Sequence, residues 1–238
     1  AWENMEADIG DDIGWHQGGS IYLAESEADL AYYEDWLGHA KQYQLDSRIL
    51  SPDEVDAHIG GEGRRWKGAL YTPSDGRAEP AKAVPAIARA VERLGGTVLT
   101  ECAVRTVERA AGKVTGVVTE KGEIACQAVV CAGGAWSSLF SGNVGYGFPQ
   151  LKVRSSVLRT KPAPLVTETN VSSVGASFRR RQDGGYTIGR SGSGFFDIVP
   201  DAFRYFGTYM PALKTQPMRL RLNSAFFKEL ARPKRWAA

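Results

Sequence analysis

Residues 129–140 read VVCAGGAWSSLF. A run of apolar residues closes on two glycines, then a Trp and two serines. Val129 and Val130 have the character of a buried strand, and Ala132 to Gly134 that of the turn that ends it. Small residues are needed where backbone must come within hydrogen-bond range of a phosphate, and a helix start beyond them adds partial positive charge. A tight strand-to-helix turn without a ligand has the same spelling, so both readings stay open here.

Outward from this turn, the preceding 50 residues supply its setting. Residues 80–94, PAKAVPAIARAVERL, predict a helix with Val84, Ile87, Val91 and Leu94 on one stripe and Gly95-Gly96 as its stop. Pro85 removes a backbone donor inside its first turns. The period then shortens: TVLTE (97–101), AVRTVER (103–109), KVTGVVTEKGEI (113–124) and QAVVCAGG (127–134) predict strands split by turns, with Lys121-Gly122 the tightest. A helix feeding strands indicates α/β architecture.

Upstream, GSIYLA (19–24) predicts a strand and residues 26–45 a helix with Leu30, Tyr33, Leu37 and Ala40 inward and Ser26 as its cap. SPDEVDAHI (51–59) predicts a short helix capped by Ser51, with Pro52 first and Glu54 closing a capping box. GGEGRRWKG (60–68) is a glycine-broken loop. Downstream, LKVRSSVLRT (151–160) alternates as a strand, and ASFRRRQDGGYTIGRS predicts a hairpin about Asp183-Gly184. PDAFRYFGTYMPAL and SAFFKELA predict helices with the strand MRLRLN between them.

Composition excludes several classes. Hydrophobic residues are 43%, charged residues 24% and net charge +2 over 238 residues, the profile of a globular chain without bias toward nucleic acid. The triplet Arg179-Arg180-Arg181 has no broader basic patch around it, so no nucleic-acid partner is expected. No apolar run is long enough to span a membrane. Three cysteines with no CxxC pair favour reduced thiols and a cytoplasmic setting. His16, His39 and His58 lack metal-ligand spacing, so no metal site is expected.

The dinucleotide fingerprint GxGxxG is absent: GYGFPQ carries Gln150, and GSGFFD carries Asp197, where the third glycine belongs. There is no GxxxxGK[ST], and GRSGSG fails GxSxG because Ser193 replaces its last glycine. The opening AWENMEADIGDD, without an initiator Met, and the ending ELARPKRWAA read as the interior of a protein, and a piece of a longer chain is expected.

One resemblance orders these parts. GALYTPSDGRAEPAKAVPAIARAVERLGGTVLTECAVRTVE, then GVVTEKGEIACQAVVCAGGAWS, resembles the middle of flavin oxidoreductases of the D-amino-acid oxidase, glycine oxidase and sarcosine oxidase family. GGSIYLAES with LSPDEV resembles the family's preceding stretch, and FRRRQDGGYTIG its substrate-domain hairpin. The resemblance covers most of residues 15–190. It implies a mixed α/β fold: a truncated Rossmann-like FAD-binding domain over 66–147, and a β-sheet substrate domain with flanking helices from 1–65 and 148–238. It implies FAD as cofactor, with Val104 at the adenosine end through its backbone, and Ala132, Gly133, Gly134 and Trp136 along the pyrophosphate or ribityl region.

It further implies a small amine or amino-acid substrate, oxidised by hydride transfer from the amine-bearing carbon to the flavin. An arginine fork suits the carboxylate of such a substrate, which makes Arg180, then Tyr186, then Arg190 the candidate substrate residues. Alternation puts Arg180 on the Phe178 face and Arg179 and Arg181 opposite. The competing reading of FRRR is a charged edge strand that discourages pairing. The absent fingerprint leaves two further readings: a non-catalytic remnant or interaction module without flavin, and a partner subunit or missing segment that completes the site.

Overall fold

The computed structural model describes residues 2–60, 66–190, 195–215 and 219–231. In chain order the first elements are α1 (Trp2–Ile9), β1 (Ser20–Ala24), α2 (Glu27–Ala40), β2 (Arg48–Leu50), α3 (Pro52–Ile59), β3 (Gly68–Thr72) and α4 (Pro80–Arg93). Next come β4 (Val104–Ala110), β5 (Lys113–Thr119), β6 (Gly122–Ala125), α5 (Ser137–Asn143), β7 (Val153–Arg154) and β8 (Val157–Arg159). Then follow β9 (Asn170–Ser172), β10 (Ser177–Arg180), β11 (Tyr186–Gly189), β12 (Phe195–Asp197), α6 (Pro200–Arg204), α7 (Phe206–Thr215), β13 (Arg219–Arg221) and α8 (Ala225–Ala231).

Two compact units result: residues 1–98 with 155–193, and residues 99–154 with 194–238. These boundaries run through the expected block 66–147, placing β3 and α4 in the first unit and β4 to β6 in the second.

The first unit holds a seven-stranded sheet in the order β2-β3-β1-β9-β10-β11-β8. All its neighbours pair antiparallel except β1 and β9, which are parallel. One face is closed by a core of Ile21, Leu23, Leu50, Val55, Ala69 and Val171, with Tyr71 and Phe178 packed against it. The capping boxes of α2 and α3 form as expected, each Ser hydroxyl accepting from the N3 backbone N–H. Gly60 then stops α3 in the left-handed conformation, at φ +63°.

Helix α4 departs from expectation. Its buried residues are Ala83, Ala86 and Ala90, whereas Val84, Ile87, Val91 and Leu94 are exposed. The cause lies in α1, whose Met5 and Ile9 pack with Ile13 against the alanine face. Alanines permit that close approach. Three α4 cations hold it shut: Lys82 to Asp12 at 2.6 Å, Arg89 to Asp11 at 2.8 Å, and Arg93 to the Ile9 carbonyl. The larger side chains are left outside.

The second unit contains the antiparallel meander β4-β5-β6, with register shifts between Val104 and Thr106 and between Glu108 and Arg109. A separate sheet has the order β13-β12-β7. Three predicted strands change. Residues 97–101 and 127–134 form none, and 151–160 splits into β7 and β8, which join different sheets. FRRR is no edge either, since β10 lies between β9 and β11. Among the described residues no helix is long and apolar enough to cross a membrane, and no group of His, Cys, Asp and Glu could hold a metal ion.

Candidate functional site

Strand register builds one candidate surface, on the uncovered face of the seven-stranded sheet. Side chains alternate across a strand, so the core row Tyr71, Ile21, Val171, Phe178, Ile188 is flanked by rows that point away from it. One flanking row runs Thr72, Ser20, Asn170, and the step beyond the Phe178–Val171 pair brings Arg179 beside Asn170, with Thr187 next. The other runs Leu70, Tyr22, Ser172, Ser177, Gly189, Val157. Apart from Thr72 and Leu70, the residues of these two rows line a shallow cavity of about 360 Å³. Its wall contains Asn170 Oδ1, which is buried without a hydrogen-bond partner among the described residues. No sequence signal marks Asn170 or Ser20. They meet through the parallel β1–β9 pair, between residues 150 positions apart.

The hairpin arginines divide by what they already hold. Arg180 shares the Phe178 face and donates to Glu168 Oε1 at 2.6 Å. Arg77 donates to the other oxygen at 2.8 Å, and His16 Nε2 lies 3.4 Å from it. Burial opposes the charge on Glu168, but the Arg77 and Arg180 hydrogen bonds outweigh it, holding the carboxyl below its ordinary value. Arg179 pairs with Glu79 at 3.5 Å. Arg181 is 6% exposed and donates to Asp183 at 2.9 Å, to the Thr160 carbonyl at 2.9 Å and to the Tyr186 carbonyl.

Tyr186 is buried too. Its hydroxyl accepts from Val166 N at 2.8 Å and donates to the Pro164 carbonyl at 3.1 Å, and its ring meets the Phe178 ring edge-on at 6.0 Å. Arg190 differs from the triplet. It is exposed, immediately follows cavity-lining Gly189, and has no carboxylate partner among the described residues.

The candidate cofactor residues lie in the second unit. Ala132, Gly133 and Gly134 are exposed. Gly134 has φ +54° with open space where a Cβ would stand, and among the described residues the amides of Ala132 and Gly133 have no partner. A turn so free of side-chain bulk fits a stretch of the phosphate–ribityl chain of FAD. Gln150 fastens it: Nε2 donates to the Gly134 carbonyl at 2.8 Å, and Oε1 accepts from Ser138 N at 3.3 Å. The residue that spoils a glycine fingerprint in GYGFPQ therefore braces the glycine turn. Val104 pairs with Thr119 at the first position of β4. Trp136 is exposed and lines a second cavity, of about 460 Å³, with Tyr146, Phe148, Arg204 and Tyr205.

Known proteins share this arrangement. An L-amino acid deaminase from Proteus vulgaris superposes with a TM-score of 0.88 at 28% identity, over 99% of this chain and 56% of that one. The L-amino acid deaminase from Proteus myxofaciens, solved in complex with anthranilate, gives 0.90 at 31% identity, over 99% and 54%. In sequence, mouse mitochondrial sarcosine dehydrogenase is 27% identical over 212 residues, which are 85% of this chain and 23% of that protein. The chain thus spans about half of the two deaminase chains and about a quarter of the dehydrogenase. The FAD dependent oxidoreductase family matches residues 1–234, and the chain belongs to that family.

Proposed function

We propose that this chain forms the substrate side, and part of the flavin side, of an FAD-dependent oxidoreductase that oxidises an amino acid or a carboxylate-bearing amine. D-amino acids, glycine and N-alkyl amino acids are the substrate types meant. Bound FAD supplies the oxidising power by accepting hydride from the amine-bearing carbon. Ala132, Gly133 and Gly134 offer backbone to its phosphate–ribityl chain, with Trp136 beside them and Val104 at the adenosine end.

The observation that carries this reading is the unspent charge of Arg190. Arg179, Arg180 and Arg181 each hold a carboxylate already, whereas Arg190 holds none among the described residues and follows cavity-lining Gly189 just beyond the end of β11. Its planar fork takes a substrate carboxylate through two hydrogen bonds. Asn170 Oδ1, lacking a donor, is the acceptor in that cavity for an amine N–H. Arg180 and Tyr186 act behind this surface, through the Glu168 pair and the Phe178 contact.

The test is Arg190→Ala in the FAD-loaded full-length protein. Losing a charge-assisted hydrogen bond costs about 1.5–3 kcal/mol, so KM for an amino acid rises roughly ten- to hundred-fold. An amine substrate without a carboxylate keeps its KM. Equal effects on both would remove Arg190 from the carboxylate site. A second reading, a scaffold piece that binds no flavin, is favoured by the bare state of residues 127–134. It predicts no FAD binding even by the full-length protein.

A further inference from the structure

The second cavity, of about 460 Å³, lies wholly within the second unit. Its volume suits a small organic molecule. Apart from Trp136, none of its wall residues belongs to the proposed flavin or carboxylate contacts.

The walls are fixed before any ligand arrives. Residues 144–152 form one side, and hydrogen bonds fasten that stretch at several points. Tyr146 N donates to the Ser141 carbonyl at 2.9 Å, and Gln150 Nε2 to the Gly134 carbonyl at 2.8 Å. From α7, the Tyr209 hydroxyl donates to the Pro149 carbonyl at 2.7 Å. Helix α6 supplies Asp201 and Arg204, and α8 supplies Glu229 and Leu230. A Cβ at Gly147 would meet nothing within 4 Å, so this wall position is open.

The lining selects a ligand by shape and by charge. Trp136, Tyr146, Phe148 and Tyr205 all line the cavity, and none of them contacts another aromatic ring among the described residues. Trp136 is 64% exposed and Tyr146 63%. Rings left open on a fixed wall are surfaces on which a planar ligand stacks. The charges, by contrast, are matched. Arg204 pairs with Asp201 at 3.2 Å, and Lys152 lies 3.9 Å from Glu229. An anion would meet the two carboxylates, and a cation the two bases. The hydroxyls of Ser138, Tyr146 and Tyr205 have no partner among the described residues, which leaves them as donors to a ligand oxygen.

We propose that this cavity is a separate ligand site, which takes a neutral, planar ring compound bearing a carbonyl acceptor. Stacking on the aromatic walls supplies the contact area, and the hydroxyls orient the carbonyl. The matched charges at the wall exclude ionised analogues of the same shape.

Coumarin is the probe, and coumarin-3-carboxylate is its anionic counterpart with the same two rings. Each is titrated by calorimetry into the full-length protein, alone, with saturating FAD, and with an excess of an amino acid. Coumarin is expected to bind with one-to-one stoichiometry in all three conditions, and the carboxylate about tenfold more weakly. Gly147→Leu fills the open wall position and should abolish coumarin binding. Tyr146→Ala, at a ring already exposed, should weaken it roughly three- to tenfold. Both variants are checked by circular dichroism, and Tyr146→Ala decides the matter if Gly147→Leu misfolds. Absence of coumarin binding would overturn the proposal, as would tighter binding of the carboxylate. So would displacement of coumarin by FAD or by the amino acid, because the probe would then occupy the catalytic site. Binding unchanged by the substitutions would place it elsewhere and overturn the proposal too. A protein that binds coumarin but no FAD would retain this site while losing the catalytic reading.

Discussion

The β10–β11 hairpin and residues 127–136 are both candidate site elements, built in opposite ways. In the hairpin, each arginine of the triplet already holds a carboxylate, and the hairpin's tyrosine hydroxyl is satisfied by backbone. In residues 127–136, side chains are exposed and the amides of Ala132 and Gly133 have no partner among the described residues. The difference separates a surface that the chain organises by itself from one whose order depends on what binds it. It follows that substitutions in the hairpin act on the free chain, whereas those in the turn act only once the turn is covered.

The largest expected effect comes from Arg181→Ala. Removing this buried guanidinium leaves the Thr160 carbonyl without its donor and the Tyr186 carbonyl with the Thr160 N–H alone, and a loss of roughly 3 kcal/mol in urea unfolding is expected. A loss under about 0.5 kcal/mol would mean that the hairpin is no better organised than the turn.

A smaller effect follows from Glu168. Its carboxyl is held below the ordinary value of 4.5, so its contribution to stability is full above that value. It is lost as pH falls through the lower folded-state value. Glu168→Gln should flatten the decline of the urea midpoint across that acid window relative to the unsubstituted chain. Equal declines would show that the Arg77–Glu168–Arg180 group contributes nothing to acid stability.

The smallest effect belongs to the turn. Val130→Thr, at a 90% exposed side chain, should shift the unfolding free energy of this chain by no more than about 0.5 kcal/mol. A large loss would reveal packing around Val130 and bring the two regions closer in kind.

Much of the first unit could be read from its residues because its signals are local. Ser26 and Ser51 announced their helices through hydroxyl caps, and Asp183-Gly184 announced a hairpin. Helix α4 was readable as a helix but not in its orientation, since alanines facing α1 outcompeted the larger stripe. QAVVCAGG has strand composition yet forms no strand, because a strand needs a neighbour as well as a propensity. Sequence order also concealed the cavity. Alternation separated Arg179 from Arg180, but only the β1–β9 pairing shows that Ser20 and Asn170 stand beside Arg179.

That parallel pair also bears on how the protein is made. Ser20 and Asn170 lie 150 residues apart, and translation proceeds at about 5–20 residues per second. Strand β1 therefore emerges from the ribosome roughly 8–30 seconds before β9 exists. Until β3 is made β1 has neither sheet neighbour, and from then until β9 appears its other edge is bare. A nascent chain in this state is a natural client for a holdase that shields strand edges. Slower decoding between residues 24 and 170 would lengthen its exposure to aggregation.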